Sequence, residues 1–207
     1  GMPKAYGSYE ELIAAPEIEA IYNPLPNHLH IPLTLQAARA GKHVLCEKPF
    51  SLTAAEAGQL REVAGRVHIM EAFMVRFHPQ WQRVRELVRA GRIGTPRAVQ
   101  VFFSYFNDDP GNIRNQADIG GGAIYDIGCY AIVSGRYLFE ADPARVVSLV
   151  DRDPALGTDR TTSALADGPF ASVNVPSVEP PDHACPSSRT ITSQESGEFN
   201  RHAGGSG

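Results

Sequence analysis

The sequence predicts an α/β fold in which a parallel sheet covered by helices is followed by a smaller α+β domain. Strand and helix patterns alternate three times within residues 1–75, which is typical of βαβ units and of a sheet with both faces covered. Within residues 76–167, long helical and strand patterns follow one another without that alternation, which favours an α+β arrangement. We therefore predict a domain boundary near residue 75.

The chain begins with the patterns of a helix, a strand, a turn and a second helix. A capping box (Ser-x-x-Glu) predicts a short helix over residues 8–15. Residues 18–22, Ile-Glu-Ala-Ile-Tyr, are typical of a buried strand. Two prolines within residues 23–27 indicate a turn, because proline lacks an N–H donor and fixes φ. Apolar periodicity over residues 30–40 predicts a helix, and Gly41 is a suitable residue to end it.

Two more strand patterns complete the predicted parallel sheet. Residues 43–46, His-Val-Leu-Cys, predict its second strand. A further capping box, Thr-Ala-Ala-Glu, predicts a helix over residues 53–64. Residues 67–72 predict a third strand.

The second domain contains two predicted helices and two predicted strands. Residues 80–90 form an amphipathic helical pattern that ends at Gly91. Alternation of Val and Phe predicts a long strand over residues 97–106. An apolar pattern predicts a helix over residues 122–139, and residues 144–150 predict another strand.

The two ends of the sequence do not match a complete α/β protein. The sheet has no leading strand, and G-x-G-x-x-G, which marks a pyrophosphate-binding βα turn, is absent from the sequence. We therefore expect a chain truncated at its N-terminus. Residues 168–207 are rich in Pro, Ser and Gly, which is typical of a disordered tail, although a frameshift near Gly168 would also explain them.

Composition and charge exclude several classes of function. The net charge is −4 and no dense Lys/Arg run is present, which argues against nucleic-acid binding. No stretch approaches the ~20 apolar residues of a membrane-spanning helix, and the start lacks the apolar region of a signal peptide. Three widely spaced cysteines without a C-x-x-C pattern predict neither a disulfide framework nor a metal site. We expect a soluble cytoplasmic protein.

Three residues have the chemistry of a site for hydroxyl oxidation. Lys48 directly follows a predicted strand, at the edge where open sheets bind ligands, and could polarise a substrate oxygen. Asp126 and Tyr130 lie four residues apart on a predicted helix and so share one face. A phenol can take up the hydroxyl proton as hydride leaves, and a nearby ammonium would lower its pKa. Taken singly, the three are better explained as a surface lysine, a solvated carboxylate and a core tyrosine.

Other polar residues leave two explanations open. His28, His30 and His78 could be catalytic or could cap and pack. Arg76 and Arg114 could bind anions or lie on the surface. Likewise, the backbone N–H groups of residues 120–122, three successive glycines before a helix, could face an anion or allow close packing.

Four segments, in this order, resemble the glucose–fructose oxidoreductase, inositol dehydrogenase and related (Gfo/Idh/MocA) family. They are YNPLPNHLH at residues 22–30, AGKHVLCEKP at 40–49, EAFMVRFHP at 71–79 and GGGAIYDIGCY at 120–130. The resemblance implies a Rossmann domain that binds NAD or NADP, followed by an α+β domain. The open, mostly antiparallel sheet of that second domain often forms the interface of a homo-oligomer.

The resemblance also implies roles for individual residues. Lys48 matches the lysine that contacts substrate and nicotinamide, and Asp126 matches the aspartate of the helix motif. Tyr130 matches the general acid/base position. A tyrosine at this position resembles the branch that contains glucose–fructose oxidoreductase, xylose dehydrogenase and dihydrodiol dehydrogenase. Residues matching the cofactor side are Pro26, Asn27, His30, Glu47, Lys48, Pro49 and Arg76.

Three functional hypotheses follow. The first is a nicotinamide-dependent oxidoreductase acting on a hydroxyl of a sugar, polyol or cyclic diol. The second is an inactive fragment, or a binding and assembly module, because the phosphate-binding glycine loop is missing from the sequence. The third is a dehydratase or sugar-lyase relative that uses a bound nicotinamide.

Overall fold

The first sheet is parallel and has three strands, as the sequence predicts. The computed structural model describes residues 4–167 and 173–175. Strands β1 (Ala20–Asn23), β2 (His43–Cys46) and β3 (Ile69–Glu71) lie in the order β1-β2-β3, and all pairs are parallel. Since all three strands run the same way, their carboxyl ends meet at one edge of the sheet.

Two of the three helices of this half begin where the capping boxes predict. The three helices are α1 (Tyr9–Ala14), α2 (His30–Arg39) and α3 (Ala54–Gly58), the last continued by a 3₁₀ helix over Gln59–Val63. At α1, Ser8 Oγ accepts the N–H of Glu11 at 3.1 Å, and at α3, Thr53 Oγ1 accepts the N–H of Glu56 at 3.1 Å.

The helix predicted over residues 53–64 differs from a single α-helix. Its second half tightens into a 3₁₀ helix just after Gly58, a residue that costs about 1 kcal/mol relative to Ala within a helix. Val63, at the end of this turn, is completely buried in the core. Packing therefore decides the path of the backbone here more than helix propensity does.

Helix α2 is the centre of the core of this half. Ala37 packs with Ile13, Val44 and Cys46 in one buried cluster. The other cluster comprises Ile31, Leu35, Ala38 and Val63. The helix therefore buries two faces, one against the sheet and α1 and the other against the 3₁₀ helix.

The second sheet is mixed and mostly antiparallel. Its strands are β4 (Val101–Phe102), β5 (Arg145–Arg152), β6 (Asp159–Asp167) and β7 (Val173–Val175). They lie in the order β4-β7-β6-β5, with β5-β6 and β6-β7 antiparallel and β4-β7 parallel. This arrangement confirms the predicted fold class.

Three strand predictions need correction. Within the described part of the chain, the long strand predicted over residues 97–106 is a strand only at Val101–Phe102. The sequence does not predict strand β6, because its Asp, Arg, Thr and Ser residues leave too few apolar residues for an alternating pattern. Strand β7 lies within residues 168–207, for which the sequence predicts a disordered or frameshifted tail; the rest of that segment lies outside the described residues.

Two helices accompany the second sheet. Helix α4 spans Pro79–Arg89, close to the prediction. The helix predicted over residues 122–139 is instead one π-helical turn, Ile124–Gly128, that continues into α5, Cys129–Phe139. Shorter 3₁₀ turns lie at Asn27–Leu29, Met74–Arg76, Ile113–Asn115 and Ala117–Ile119. Among the helices of the described residues, none is long and apolar enough to cross a membrane.

The core clusters predict where truncation is costly. Leu35→Ala removes a side chain that is 5% exposed, and we expect it to lower the free energy of unfolding by about 2–4 kcal/mol. Ile93→Ala is the matched control, because Ile93 is 69% exposed in the turn after α4 and its truncation should cost less than about 1 kcal/mol. Urea denaturation followed by circular dichroism measures both. Equal losses for the two variants would contradict this assignment of the core.

Candidate active site

A cleft opens at the carboxyl edge of the parallel sheet. One wall is formed by the loops after β1 and β2, residues 24–27 and 47–49, and the other by residues 113–126. Its empty volume is about 640 Å³, including the part that is open to solvent. This is the edge at which open α/β sheets bind ligands.

Lys48 projects from the β2 loop across this cleft to the second half of the chain. Its ammonium donates a short hydrogen bond to the backbone carbonyl of Asp126 and lies 3.4 Å from Asp126 Oδ1. Only 15% of each of the two side chains is exposed. The peptide bond between Lys48 and Pro49 is cis.

The carboxylate of Asp126 is the most heavily bonded group of the site. Besides Lys48, Arg114 Nε lies 3.0 Å from Oδ1, and the phenol of Tyr105 donates to Oδ2. Two cations and a phenol therefore surround one carboxylate. Of the alternatives for Arg114, the structure supports a place in the site, although its side chain is 47% exposed.

Tyr105 was missed in the sequence. It lies in a stretch whose alternating Val and Phe residues indicate a strand, so nothing in the pattern distinguished its hydroxyl. Burial, followed by the hydrogen bond to Asp126, raises the pKa of Tyr105. The phenol therefore stays protonated and donates to the carboxylate.

Tyr130 approaches Lys48 from α5. The Lys48 ammonium lies 4.8 Å from the centroid of the Tyr130 ring, and Phe73 packs edge-on against the same ring at 5.4 Å. Burial raises the pKa of Tyr130, as do the nearby Cys129, Glu47 and Asp126. The expectation that the ammonium lowers this pKa is therefore wrong for this arrangement, since the cation lies against the ring and burial dominates.

A buried carboxylate at the start of the π-helical turn positions Asp126. Asp159, which is 8% exposed, accepts the N–H of Ile124 through Oδ2 at 2.7 Å. Gly122 has φ of +119°, and a Cβ there would lie 1.9 Å from Asp159 Oδ1. Only glycine fits at this position.

The three glycines allow close packing and do not present free N–H groups to an anion. The N–H groups of Gly120, Gly121 and Gly122 donate to carbonyls of Ala117, Gln116 and Arg114, respectively. A Cβ at Gly121 would lie 2.6 Å from the backbone carbonyl oxygens of Arg114 and Gln116, which leaves no room for another residue. Of the two explanations that the sequence left open, the geometry supports packing.

Besides Lys48, five residues predicted on the cofactor side line the cleft: Pro26, Asn27, His30, Glu47 and Pro49. Their polar groups are largely bonded within the protein. Asn27 Nδ2 donates to the carbonyl of Gly120 at 2.7 Å, and Glu47 accepts from the Tyr22 hydroxyl at 2.6 Å. These residues shape the wall.

His30 joins the two loops of that wall. Its ring nitrogens lie 2.7 Å from the carbonyl oxygens of Pro49 and Leu25, and the residue is 1% exposed. His78 is a helix cap, because its Nδ1 accepts the N–H of Gln80 at 3.2 Å. Both histidines therefore serve the packing and capping roles that the sequence also allowed.

Arg76 is not brought to the Lys48 cleft. It is exposed and lines a second cleft, between Glu71 and Phe73 on one side and helices α4 and α5 on the other. Its predicted role near a nicotinamide therefore has no direct support from this geometry.

Among the residues that the structure describes, no group of three or more His, Cys, Asp or Glu side chains could hold a metal ion. Cys46 and Cys129 are free thiols. Burial raises the pKa of Cys46 to about 12 and that of Cys129 to about 11.

Two family models match most of the chain. A model described as oxidoreductase family, NAD-binding Rossmann fold, matches residues 1–76, and the GFO/IDH/MocA C-terminal domain matches residues 81–179. The second match extends past residue 167 and includes strand β7.

The chain is similar to several sugar and diol oxidoreductases. It is 42% identical over 171 residues to D-xylose 1-dehydrogenase (NADP(+)) 2 of Haloferax volcanii, covering 81% of this chain and 52% of that protein. It is 36% identical over 175 residues to mouse trans-1,2-dihydrobenzene-1,2-diol dehydrogenase, covering 81% and 51%. The chain spans about half the length of the curated relatives it matches.

A solved structure with the same fold carries a nicotinamide cofactor. A 3-ketoreductase from Actinomadura kijaniata, in complex with NADP and TDP-benzene, superposes with a TM-score of 0.74 at 32% identity. The match covers 86% of this chain and 55% of that one.

The raised pKa values predict inert cysteines. At pH 8 a thiol with a pKa of about 12 is ~0.01% thiolate, so iodoacetamide should not label Cys46 or Cys129 in the folded chain. Both should react once urea unfolds the protein. Peptide mapping by mass spectrometry separates them from Cys185, which lies outside the described residues. Rapid labelling of either thiol at pH 8, with unchanged circular dichroism, would contradict the assigned burial.

Proposed function

The chain belongs to the Gfo/Idh/MocA oxidoreductase family, and we propose that its protein transfers hydride between NAD or NADP and a hydroxyl-bearing carbon of a sugar, polyol or cyclic diol. The observation that carries this proposal is the meeting of Lys48, Asp126 and Tyr130. Lys48 meets Asp126 and Tyr130, which lie 78 and 82 positions further along the chain, at the carboxyl edge of the parallel sheet. The xylose and dihydrodiol dehydrogenases similar to the chain support the substrate class.

In the proposed reaction Tyr130 exchanges the proton of the substrate hydroxyl. When bound, the nicotinamide supplies or accepts the hydride. Because burial raises the pKa of Tyr130, the phenol is protonated at neutral pH and is ready to donate to a carbonyl oxygen in the reducing direction. Oxidation needs the phenolate as base, so its rate should increase as the pH rises toward the raised pKa.

Lys48 and Asp126 orient the reacting oxygen in this proposal. The ammonium carries a fixed positive charge at the cleft and can donate to a substrate oxygen, which stabilises developing negative charge there. Asp126 holds the ammonium through both its backbone carbonyl and its carboxylate. Tyr105 and Arg114 fix the carboxylate in turn.

The residues present fit the nicotinamide end of a dinucleotide. The wall that includes Pro26, Asn27 and Pro49 lies beside Lys48 at the sheet edge. Because Asn27 is hydrogen-bonded within the protein, to the carbonyl of Gly120, the shape of this wall is fixed. The sequence contains no G-x-G-x-x-G, so no pyrophosphate site is assigned within it. The choice between NAD and NADP stays open.

The second sheet supports a proposal about assembly. Along β5 all eight residues are exposed, and Val147 and Leu149, which share one face of the strand, are 61% and 71% exposed. An apolar sheet surface of this kind marks an interaction site, and we propose that it pairs two copies of the protein.

We also propose that the chain divides into two domains between residues 75 and 76. We further propose that the protein is cytoplasmic, where a reducing environment keeps its thiols free.

Cofactor binding is the first test. NADH and NADPH are titrated into the purified chain and nicotinamide fluorescence is followed, with ATP as the control ligand that lacks nicotinamide. We expect micromolar binding of one reduced cofactor and weaker binding of ATP, because the residues present lie on the nicotinamide side. No fluorescence change at millimolar cofactor would mean that this chain by itself forms no cofactor site.

Tyr130→Phe tests the proposed proton transfer. In a full-length form of the protein, we expect the turnover number to fall about 10²- to 10⁴-fold while the dissociation constant for cofactor changes little. Tyr9→Phe is the matched control, since Tyr9 is 49% exposed on α1 and should leave turnover unchanged. Near-normal turnover of the Tyr130→Phe enzyme would refute the role of the phenol.

A further inference from the structure

The backbone of the loop that carries Lys48 has only a few donors to anchor it. The N–H of Glu47 donates to the carbonyl of Asn23 at 2.9 Å and so extends the pairing of β1 with β2. The N–H of Lys48 donates to the side chain of the adjacent Glu47 at 3.1 Å. Pro49 has no N–H, so the next residue holds the next donor.

That donor is the N–H of Phe50, and it binds the carboxylate of Glu71. The distance from Phe50 N to Glu71 Oε1 is 2.7 Å, which is short for a hydrogen bond of this kind and typical of an ionised acceptor. The ring of Phe50 packs against the core cluster of Ile13, Ala37, Val44 and Cys46. The loop is therefore fastened at Phe50 both by an apolar side chain and by a backbone hydrogen bond.

Glu71 occupies a position suited to this contact. It is the last residue of β3 and pairs with Cys46, the last residue of β2, so its side chain starts at the sheet edge beside the loop. The adjacent N–H of Ala72 donates to the carbonyl of Cys46 at 2.7 Å, which fixes the backbone there. Burial raises the pKa of Glu71, and the Phe50 N–H and the nearby Arg76 and His30 oppose that shift.

We propose that Glu71 is a positioning residue for Lys48: by accepting the Phe50 N–H, its carboxylate fixes the loop from which the Lys48 ammonium reaches Asp126. The inference rests on the proposed function in taking Lys48 as a catalytic residue, but the contact itself is independent of turnover. On the other side of the loop, His30 holds the Pro49 carbonyl. The loop is thus held from β3 at Phe50, two residues after Lys48, and from α2 at Pro49, one residue after Lys48.

The consequence for Lys48 is geometric. Its ammonium is held at Asp126 and at 4.8 Å from the Tyr130 ring centroid, at the end of a flexible side chain. A misplacement of about 1 Å in a catalytic group can cost about 10²-fold in rate. By this proposal, loss of the Phe50 anchor frees the loop and releases the ammonium from Asp126.

The test compares Glu71→Gln with Glu71→Ala in the chain as it is, without cofactor or substrate. Gln keeps a carbonyl oxygen that can accept the Phe50 N–H, whereas Ala keeps none. Two readouts are measured: hydrogen exchange of the Phe50 amide by NMR, and the rate at which Lys48 is acetylated relative to the other lysines, by mass spectrometry. Glu86→Ala, on an exposed face of α4, is the control.

We expect Glu71→Ala to speed both exchange at Phe50 and acetylation of Lys48 by about tenfold or more, as for the loss of one charged hydrogen bond. Glu71→Gln keeps a neutral acceptor in place of the charged one and should speed both clearly less than Glu71→Ala, whereas Glu86→Ala should stay within about twofold of the parent chain. Unchanged rates in Glu71→Ala, or equal acceleration in Glu71→Gln, would overturn the proposal.

An amide-to-ester replacement at Phe50 covers the case in which Glu71→Ala does not fold. It removes the N–H donor and keeps every side chain, so it should reproduce the acceleration at Lys48. A normal Lys48 rate in the ester form would overturn the proposal. Absence of dehydrogenase activity would bear only on the proposed function, since neither readout depends on turnover.

Discussion

The contact between Lys48 and Asp126 is the interaction on which the site depends. It links the loop after β2, in the parallel sheet, to the helical turn that precedes α5 and packs with the second sheet. Both side chains are 15% exposed, so neither ion is fully solvated. Removing Asp126 leaves the Lys48 ammonium without its carboxylate partner, which is costly for a largely buried charge, whereas Asp126 retains Arg114 if Lys48 is removed. Asp126 therefore determines the position of the Lys48 ammonium.

Much of the surrounding structure serves to fix these two residues. Asp159 caps the π-helical turn, and Gly122 gives it room, which together set the direction of Asp126. A π-helical turn is often found at functional sites, where an extra residue changes the direction of side chains. On the other side of the cleft, loop backbone and buried side chains hold the lysine. The reactive groups thus lie on a prearranged framework, which is what hydride and proton transfer need from a protein.

The environment also decides the protonation state of the phenol. A lysine beside a tyrosine suggests a lowered phenol pKa when only the residue types are known. In the structure, Tyr130 is partly buried and surrounded by Phe73, Asp126 and Glu47, so its pKa is raised instead. The same logic applies to Tyr105, whose proton is held by Asp126. Burial and neighbouring negative charge outweigh one cation that lies against a ring face.

The sequence by itself determined the order of elements in the parallel sheet, because capping boxes, glycine stops and apolar periodicity are local signals with a direct structural meaning. It also identified Lys48, Asp126 and Tyr130, since four motifs in order resemble one family. Only the tertiary structure showed Tyr105 and Arg114 at Asp126, Arg76 away from the cleft, and strands β6 and β7. These depend on contacts between residues distant in the chain, such as the pairing of β4 with β7 or the contact of a phenol with a carboxylate 21 positions away. Local sequence patterns do not predict such contacts, because the packing of the whole chain determines which strand pairs with which and which charges meet.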